Sequence, residues 1–334
     1  MYKEKRISRS ELVPIRGIDY HVRIWQADAA AASARPPQAR PAPPIGQRGS
    51  ESPEAHAVGN VGVPLVLVHG WMDVAASWQF VVDALSDTFV LGRSIIAPDW
   101  RGYGQTGTLG ADNFWFPDYL ADLDFLLDHY AADQPVDLVG HSMGGNVAML
   151  YAGVRPARIR KLVNLEGFGM PATRPAQAPG RFAKWMDDLK SLHKGEMALK
   201  PYQDAAGVAR RLMRTNPRLS PDKANWLARH WAAPDDEGQW NILGDAAHKI
   251  VNAQLYRVDE VLEIYQRISA PTLAIEASDD SLGKWWQGKY TLAEYRERLK
   301  SVPQVSTAVI ADAGHMLHHD QPEQLARLIE GFLR

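Results

Sequence analysis

A serine with a glycine two positions away on each side is the first feature of this sequence whose residue types could carry chemistry. The run Gly-His-Ser-Met-Gly at 140–144 directly follows the apolar stretch 136–139 and opens the stretch 143–154, which has helical composition. A turn this sharp leaves little room for Cβ atoms at positions 140 and 144, and it places the Ser142 hydroxyl at the positive end of a helix. The pattern favours a serine nucleophile over the alternative, a glycine-rich loop that only caps a helix.

The elements that must position this serine alternate between strand-like and helix-like stretches. Continuous apolar runs predict buried strands at 63–68, 94–99, 136–139, 159–165, 272–275 and 305–310, after a partly alternating strand at 18–26. Helical spacing predicts helices at 118–130 and 143–154, and a last helix that opens around Pro322. This alternation predicts an α/β fold with a mostly parallel, doubly wound sheet.

Two segments interrupt the alternation. Residues 27–60 are rich in alanine, proline and glycine, which predicts a flexible insertion between two strands. Residues 170–265 contain four tryptophans and no convincing buried strand. We interpret them as a helical cap over the carboxyl edge of the sheet, where open α/β sheets bind ligands. The α/β core would then comprise residues 1–169 and 266–334.

Bulk composition excludes several classes of protein. The chain has no cysteine, so disulfides, thiolate metal sites and a cysteine nucleophile are excluded. Its 37 Lys and Arg nearly balance 39 Asp and Glu, which gives no reason to expect nucleic acid as a partner. Without an apolar leader or a run of eighteen apolar residues, we expect a cytoplasmic protein with no membrane insertion. We expect a small-molecule substrate; the oligomeric state stays open.

Four landmarks together resemble the α/β-hydrolase fold family across nearly all of the chain beyond residue 10. His-Gly-Trp at 69–71 follows a predicted strand, and Asp-Trp-Arg-Gly-Tyr-Gly at 99–104 is similar to a loop of that family. The serine turn at 140–144 comes next, and Ala-Gly-His at 313–315 lies between the last strand and the last helix. The resemblance implies a capped, esterase-like serine hydrolase that needs no cofactor.

The resemblance also implies roles for single residues. A serine hydroxyl needs a base within hydrogen-bond reach, and His315 occupies the position where the family keeps its histidine. The backbone N–H groups of Trp71 and Met143 would form the oxyanion hole. Other residues near the landmarks are expected to be structural. His69 and Asp99 should brace loops, His141 should pack or orient, and His318 and His319 should lie on the surface.

The acid that orients His315 is left open between two strand ends. The family position follows the strand 272–276, where Asp279 and Asp280 stand, and we favour Asp280 there. The rival is Glu166, after the strand 159–165, which resembles the relocated acid of some capped members of this fold. Its longer side chain would suit the greater reach from a neighbouring strand.

The leading functional hypothesis is cleavage of a carboxylic ester with an apolar acyl or aryl group, through an acyl-enzyme on Ser142. The alternatives that would use the same triad are a C–C bond hydrolase, an amidase and a lactonase. An alternative of another class is a non-catalytic binding protein on the same fold. No grouping of His, Asp and Glu has the spacing of a metal site, and no glycine pattern predicts a phosphate cradle. We therefore expect neither a metal nor a cofactor.

Overall fold

The computed structural model describes residues 2–26 and 62–334, so the predicted flexible insertion at 27–60 lies outside the described residues. An eight-stranded sheet forms the centre. Its strands are β1 (Arg9–Ile15), β2 (Ile18–Gln26), β3 (Leu65–Val68), β4 (Ser94–Pro98), β5 (Val136–His141), β6 (Ile159–Leu165), β9 (Thr272–Ala277) and β10 (Val305–Ile310). A separate hairpin holds β7 (Ala232–Pro234) and β8 (Trp240–Ile242).

The order of strands in the sheet is β1-β2-β4-β3-β5-β6-β9-β10. Strand β2 pairs antiparallel with β1 and β4, and all the other pairs are parallel. The prediction of a mostly parallel sheet is therefore confirmed. Because parallel strands end at the same edge, the carboxyl ends of β3, β5, β6, β9 and β10 converge there.

Twelve α-helices are described. They are α1 (Gln79–Ala84), α2 (Asp87–Val90), α3 (Phe116–Ala131), α4 (Met143–Val154), α5 (Ala178–His193), α6 (Ala205–Thr215), α7 (Pro221–Trp231), α8 (Val258–Tyr265), α9 (Ser281–Trp286), α10 (Leu292–Leu299), α11 (Leu317–Asp320) and α12 (Pro322–Leu333). None of these helices, in the described parts of the chain, combines the length and apolar character needed to cross a membrane.

Helices cover both faces of the sheet, as the sequence predicts for a doubly wound fold. On one face, Leu123 of α3 and Val147 of α4 join a core that includes alternate side chains of the strands. On the other face, Val81 of α1 and Leu325 of α12 pack into a second core. The inner strands are buried on both sides, which explains their continuous apolar runs.

The segment 170–265, called the inserted segment below, lies between β6 and β9 and contains α5 to α8. It is mainly helical, and it also contains the short hairpin β7–β8, which was not predicted. Its last helix packs closely on α4, where a Cβ at Gly153 would lie 2.1 Å from the carbonyl oxygen of Ile264. The domain boundaries at 169/170 and 265/266 stay a prediction.

Candidate active site

The turn between β5 and α4 holds Ser142 in a strained conformation. Its φ of 53° lies in the left-handed region, which residues with a side chain rarely adopt outside functional sites. The flanking glycines are sterically required. A Cβ at Gly140 would lie 2.4 Å from the carbonyl oxygen of Gly144, and one at Gly144 would lie 2.5 Å from those of Val68 and His69. The turn can therefore fold back on itself at Gly140 and pass close to the end of β3 at Gly144 only because both positions lack a side chain.

Three side chains form a hydrogen-bonded chain at the carboxyl edge of the sheet. Nε2 of His315 lies 2.9 Å from Oγ of Ser142, and Nδ1 of His315 lies 3.0 Å from Oε2 of Glu166. A carboxylate only accepts hydrogen bonds, so Nδ1 carries the proton and Nε2 is free to accept one from the serine. The His315 side chain keeps 21% of its surface exposed, while that of Glu166 keeps 1%.

The backbone at the end of β6 aims Glu166 at the histidine. Glu166 has a φ of 53°, and its N–H donates to the carbonyl oxygen of Ile275 in β9. The turn carries the side chain across the end of β9, where Oε1 accepts the N–H of Ala277 at 2.7 Å. Both carboxylate oxygens are thus held, one by the backbone and one by His315.

The preference for Asp280 as the partner of His315 does not agree with these contacts. Asp280 is exposed, and its Oδ1 accepts the N–H of Gly283 at 2.7 Å, which caps the short helix α9. Its neighbour Asp279 pairs with Arg218 at 3.0 Å. After β9 the chain turns outward into α9, so neither carboxylate points at the histidine. The rival acid, Glu166, occupies that position.

Two further histidines brace the site, in agreement with the sequence analysis. His69 donates from Nδ1 to the carbonyl oxygen of Gly70 at 2.8 Å, and its Nε2 accepts the N–H of Trp100 at 2.9 Å. Burial lowers the pKa of His69. Nε2 of His141 lies 2.8 Å from the carbonyl oxygen of His315 and donates to it. Burial, together with the nearby His318 and His315, lowers the pKa of His141 well below its ordinary value.

The prediction that His318 and His319 lie on the surface is wrong. They are 1% and 3% exposed, because α11 forms a separate short helix before α12 and tucks inward. The ring of His318 lies 5.2 Å from that of Trp78, and the ring of His319 lies 5.5 Å from that of Phe80. The spacing of the sequence could not distinguish this inward turn from the exposed start of a helix.

Asp99 braces the loop after β4, as expected. One carboxylate oxygen accepts the N–H of Ala75 at 2.6 Å. The other lies 2.7 Å from Nδ1 of His21 and accepts the N–H of Gln105 at 3.0 Å. The carboxylate ties three stretches of chain together beneath the site.

The two predicted oxyanion-hole residues flank the serine. Met143 is the first residue of α4, so its N–H has no partner within the helix. Trp71 lies in the turn after β3, and its indole donates to the carbonyl oxygen of His248 at 3.1 Å. Both residues line the same cavity as Ser142. Their role as amide donors to an oxyanion stays a prediction.

The serine opens into a cavity of about 870 Å³ between the core and the inserted segment. Its apolar lining includes Trp71, Phe114, Phe168, Leu282, Trp285 and Trp286. His248 of the inserted segment also lines it, stacked 3.8 Å from the rings of both Tyr103 and Phe114. Burial lowers the pKa of His248 to about 3, so this ring is neutral at physiological pH.

With this fold and this site, the chain belongs to the α/β-hydrolase fold family, whose sequence pattern matches residues 63–322. It is 25% identical over 281 residues to a serine hydrolase-like protein of Danio rerio, which covers 82% of each chain. A shorter match of 118 residues, 36% identical, relates it to the 2-hydroxy-6-oxo-2,4-heptadienoate hydrolase of Pseudomonas putida. That match covers 34% of this chain and 41% of that enzyme.

The solved structures agree on the fold. The thioesterase domain from the curacin biosynthetic pathway superposes with a TM-score of 0.74 at 22% identity, and the match covers 97% of this chain and 99% of that one. At this identity the likeness concerns the fold alone. Together, the family and the Danio rerio relative make this chain a serine hydrolase-like α/β-hydrolase.

Proposed function

We propose that this protein hydrolyses carboxylic esters by acyl transfer through Ser142. The observation that carries the proposal is the unbroken chain from Ser142 to His315 to Glu166, with distances of 2.9 and 3.0 Å. His315 takes the serine proton as the hydroxyl attacks the ester carbonyl, and Glu166 stabilises the imidazolium that forms. The complete chain also favours a catalyst over a binding protein on the same fold.

The remaining steps follow from the same groups. The N–H groups of Met143 and Trp71 would stabilise the oxyanion of the tetrahedral intermediate. His315 then gives its proton to the leaving alcohol, which leaves an acyl group on Ser142. A water molecule, activated by His315, releases the acid and regenerates the enzyme.

The cavity supports an apolar acyl or aryl group as the substrate class. Aromatic and aliphatic side chains form most of its lining, and such walls favour substrates that bury apolar surface. Each methylene group of the substrate that is buried in the cavity stabilises the transition state by up to about 0.8 kcal/mol. This corresponds to a gain in kcat/KM of up to about fourfold. The neutral His248 adds no charge that would oppose this preference.

A second candidate is hydrolysis of a C–C bond in a vinylogous diketone acid. The match to the Pseudomonas putida hydrolase suggests it, since that enzyme is named for such a substrate. One structural feature favours it as well: Arg181 and Lys289 line the cavity, and a carboxylate on the substrate could pair with them. The same serine and histidine would serve this reaction.

A panel of p-nitrophenyl esters from acetate to dodecanoate tests the leading proposal, with 2-hydroxy-6-oxo-2,4-heptadienoate as the competing substrate. We expect kcat/KM to rise with acyl length until the cavity is filled. Ser142→Ala should retain its fold and lose turnover by several orders of magnitude. Preference for charged, strongly polar esters would contradict the apolar pocket, and faster cleavage of the dienoate than of any ester would favour the second candidate.

A further inference from the structure

Behind the serine, three buried side chains converge that the hydrolytic mechanism does not use. Asp73 lies in the loop after β3, His141 ends β5, and His318 lies on α11. One donor atom from each lies within 4.8 Å of the other two, and none of the three residues is more than 2% exposed. They are distant in sequence, so no local spacing could predict the cluster.

Each of the three side chains carries a buried polar atom that has no hydrogen-bond partner among the described residues. His141 uses Nε2 for the carbonyl oxygen of His315, so in the neutral ring Nδ1 carries a free lone pair, and this buried atom has no partner in the described structure. Nδ1 of His318 is also unpartnered among the described residues. A buried nitrogen without a partner is costly unless an ion or a water molecule satisfies it.

The carboxylate of Asp73 is only half satisfied. Its Oδ1 accepts from Ser77 Oγ and, at 3.0 Å, from Nε1 of Trp231. Its Oδ2 has no hydrogen-bond partner in the part of the chain described, and Nε2 of His318 lies 3.5 Å away. Across residues 2–26 and 62–334, no lysine or arginine lies within ion-pair distance of Asp73. A buried carboxylate in this position favours a cation beside it.

We propose that Asp73, His141 and His318 bind a divalent transition-metal ion, with Zn²⁺ as the best-matched ion. Two imidazole nitrogens and one carboxylate oxygen form a donor set that Zn²⁺ prefers, whereas Mg²⁺ and Ca²⁺ prefer oxygen alone. The hydrogen bond from His141 to a backbone carbonyl is the outer contact that orients metal-binding histidines. Ligand atoms about 2.1 Å from a tetrahedral ion lie about 3.4 Å from one another. The three donor atoms now lie within 4.8 Å of one another, so each pair would move closer by roughly 1 Å when the ion binds.

Such an ion would slow hydrolysis. His141 contacts the backbone of His315, and the two rings lie 4.8 Å apart. Movement of His141 toward the ion would draw the backbone of His315 with it and lengthen the 2.9 Å contact between Nε2 of His315 and Oγ of Ser142. Zn²⁺ would therefore act as an inhibitor from behind the triad, without occupying the substrate cavity.

Isothermal titration of the metal-stripped full chain with ZnCl₂ tests the site directly. We expect one ion per chain, with affinity at least about a hundredfold weaker in Asp73→Asn and in His318→Gln. His193→Gln is the matched control, because His193 forms an exposed pair with Asp112 at 3.1 Å, and it should bind Zn²⁺ like the wild type. Equal affinity in the wild type and both cluster variants, or loss of binding in His193→Gln, would overturn the proposal.

Zn X-ray absorption of the wild type covers the case in which a cluster variant fails to fold. We expect two imidazole ligands and at least one carboxylate oxygen, and a shell without imidazole would overturn the site. Each protein's turnover is then compared with its own metal-free rate. Zn²⁺ should reduce the rate at least tenfold in the wild type and in His193→Gln only. Titration and absorption need no turnover, so they decide the metal site even if the proposed esterase activity fails.

Discussion

Oε2 of Glu166 and Nδ1 of His315 lie 3.0 Å apart across the carboxyl edge of the sheet, although Glu166 directly follows β6 and His315 follows β10. Strand β9 lies between these two strands in the sheet. A side chain from β6 must therefore cross the end of β9, and Glu166 does so while it accepts the N–H of Ala277. Because its side chain crosses the end of β9, Glu166 reaches His315 and is the acid of the proposed triad.

The first prediction compares the two rival acids. Glu166→Gln should reduce kcat between about 10²- and 10⁴-fold, because the amide cannot stabilise the imidazolium as a carboxylate does. Asp280→Asn is the matched control. It should change kcat less than about threefold, since Asp280 caps α9 and does not contact His315. Steady-state kinetics on one p-nitrophenyl ester measures kcat for both variants, and melting temperatures check that both are folded. A large loss of kcat in Asp280→Asn but not in Glu166→Gln would restore Asp280 as the acid.

The second prediction concerns the serine turn. Gly144→Ala adds a Cβ 2.5 Å from two carbonyl oxygens of β3 and its following loop, so the turn must shift. We expect loss of several kcal/mol of unfolding free energy, or of soluble protein, together with loss of turnover. Gly331→Ala is the control, because its Cβ meets nothing within 4 Å and it lies in α12, where alanine should stabilise by about 0.5 to 1 kcal/mol. Similar urea midpoints for the two variants would show that the turn tolerates a side chain.

Much of this site could be predicted from sequence, because its signals are local. The small residues around Ser142 report a steric limit that the neighbouring strand imposes, and the apolar runs report burial on both faces. The position of His315 after the last strand is also a local signal. These residues could be named before any coordinates were known.

What the sequence left open depends on side-chain direction and on contacts between distant segments. Nothing in the residues around Glu166 reveals the positive φ that turns it toward His315, and nothing around Asp280 shows that the chain leads outward. The burial of His318 depends on how α11 packs against Trp78. The meeting of Asp73 with His318 needs the whole fold.

The third prediction concerns stability in acid. Nη2 of Arg23 donates to Nδ1 of His230 at 3.1 Å, and burial together with Arg23 lowers the pKa of His230 to about 4. The unfolded chain, with an ordinary pKa near 6.5, binds the proton first, so the free energy of unfolding falls as the pH drops from about 6.5 to about 4. This one residue accounts for up to about 3 kcal/mol of that fall.

Urea unfolding at pH 7 and at pH 4.5 measures this effect. His230→Gln keeps an acceptor for Arg23 and cannot titrate, so it should lose less stability than the wild type over that range. His129→Gln, on the exposed face of α3, should follow the wild type. The same loss in all three proteins would show that other groups control the acid response.

The most direct test of the account is covalent labelling of the wild type with a fluorophosphonate, followed by peptide mass spectrometry. The proposed mechanism predicts one adduct per chain on Ser142, no adduct in Ser142→Ala, and much slower labelling in His315→Ala, where the base is missing. Wild-type protein that hydrolyses esters but carries no adduct on Ser142, or carries it on another residue, would contradict the central claim.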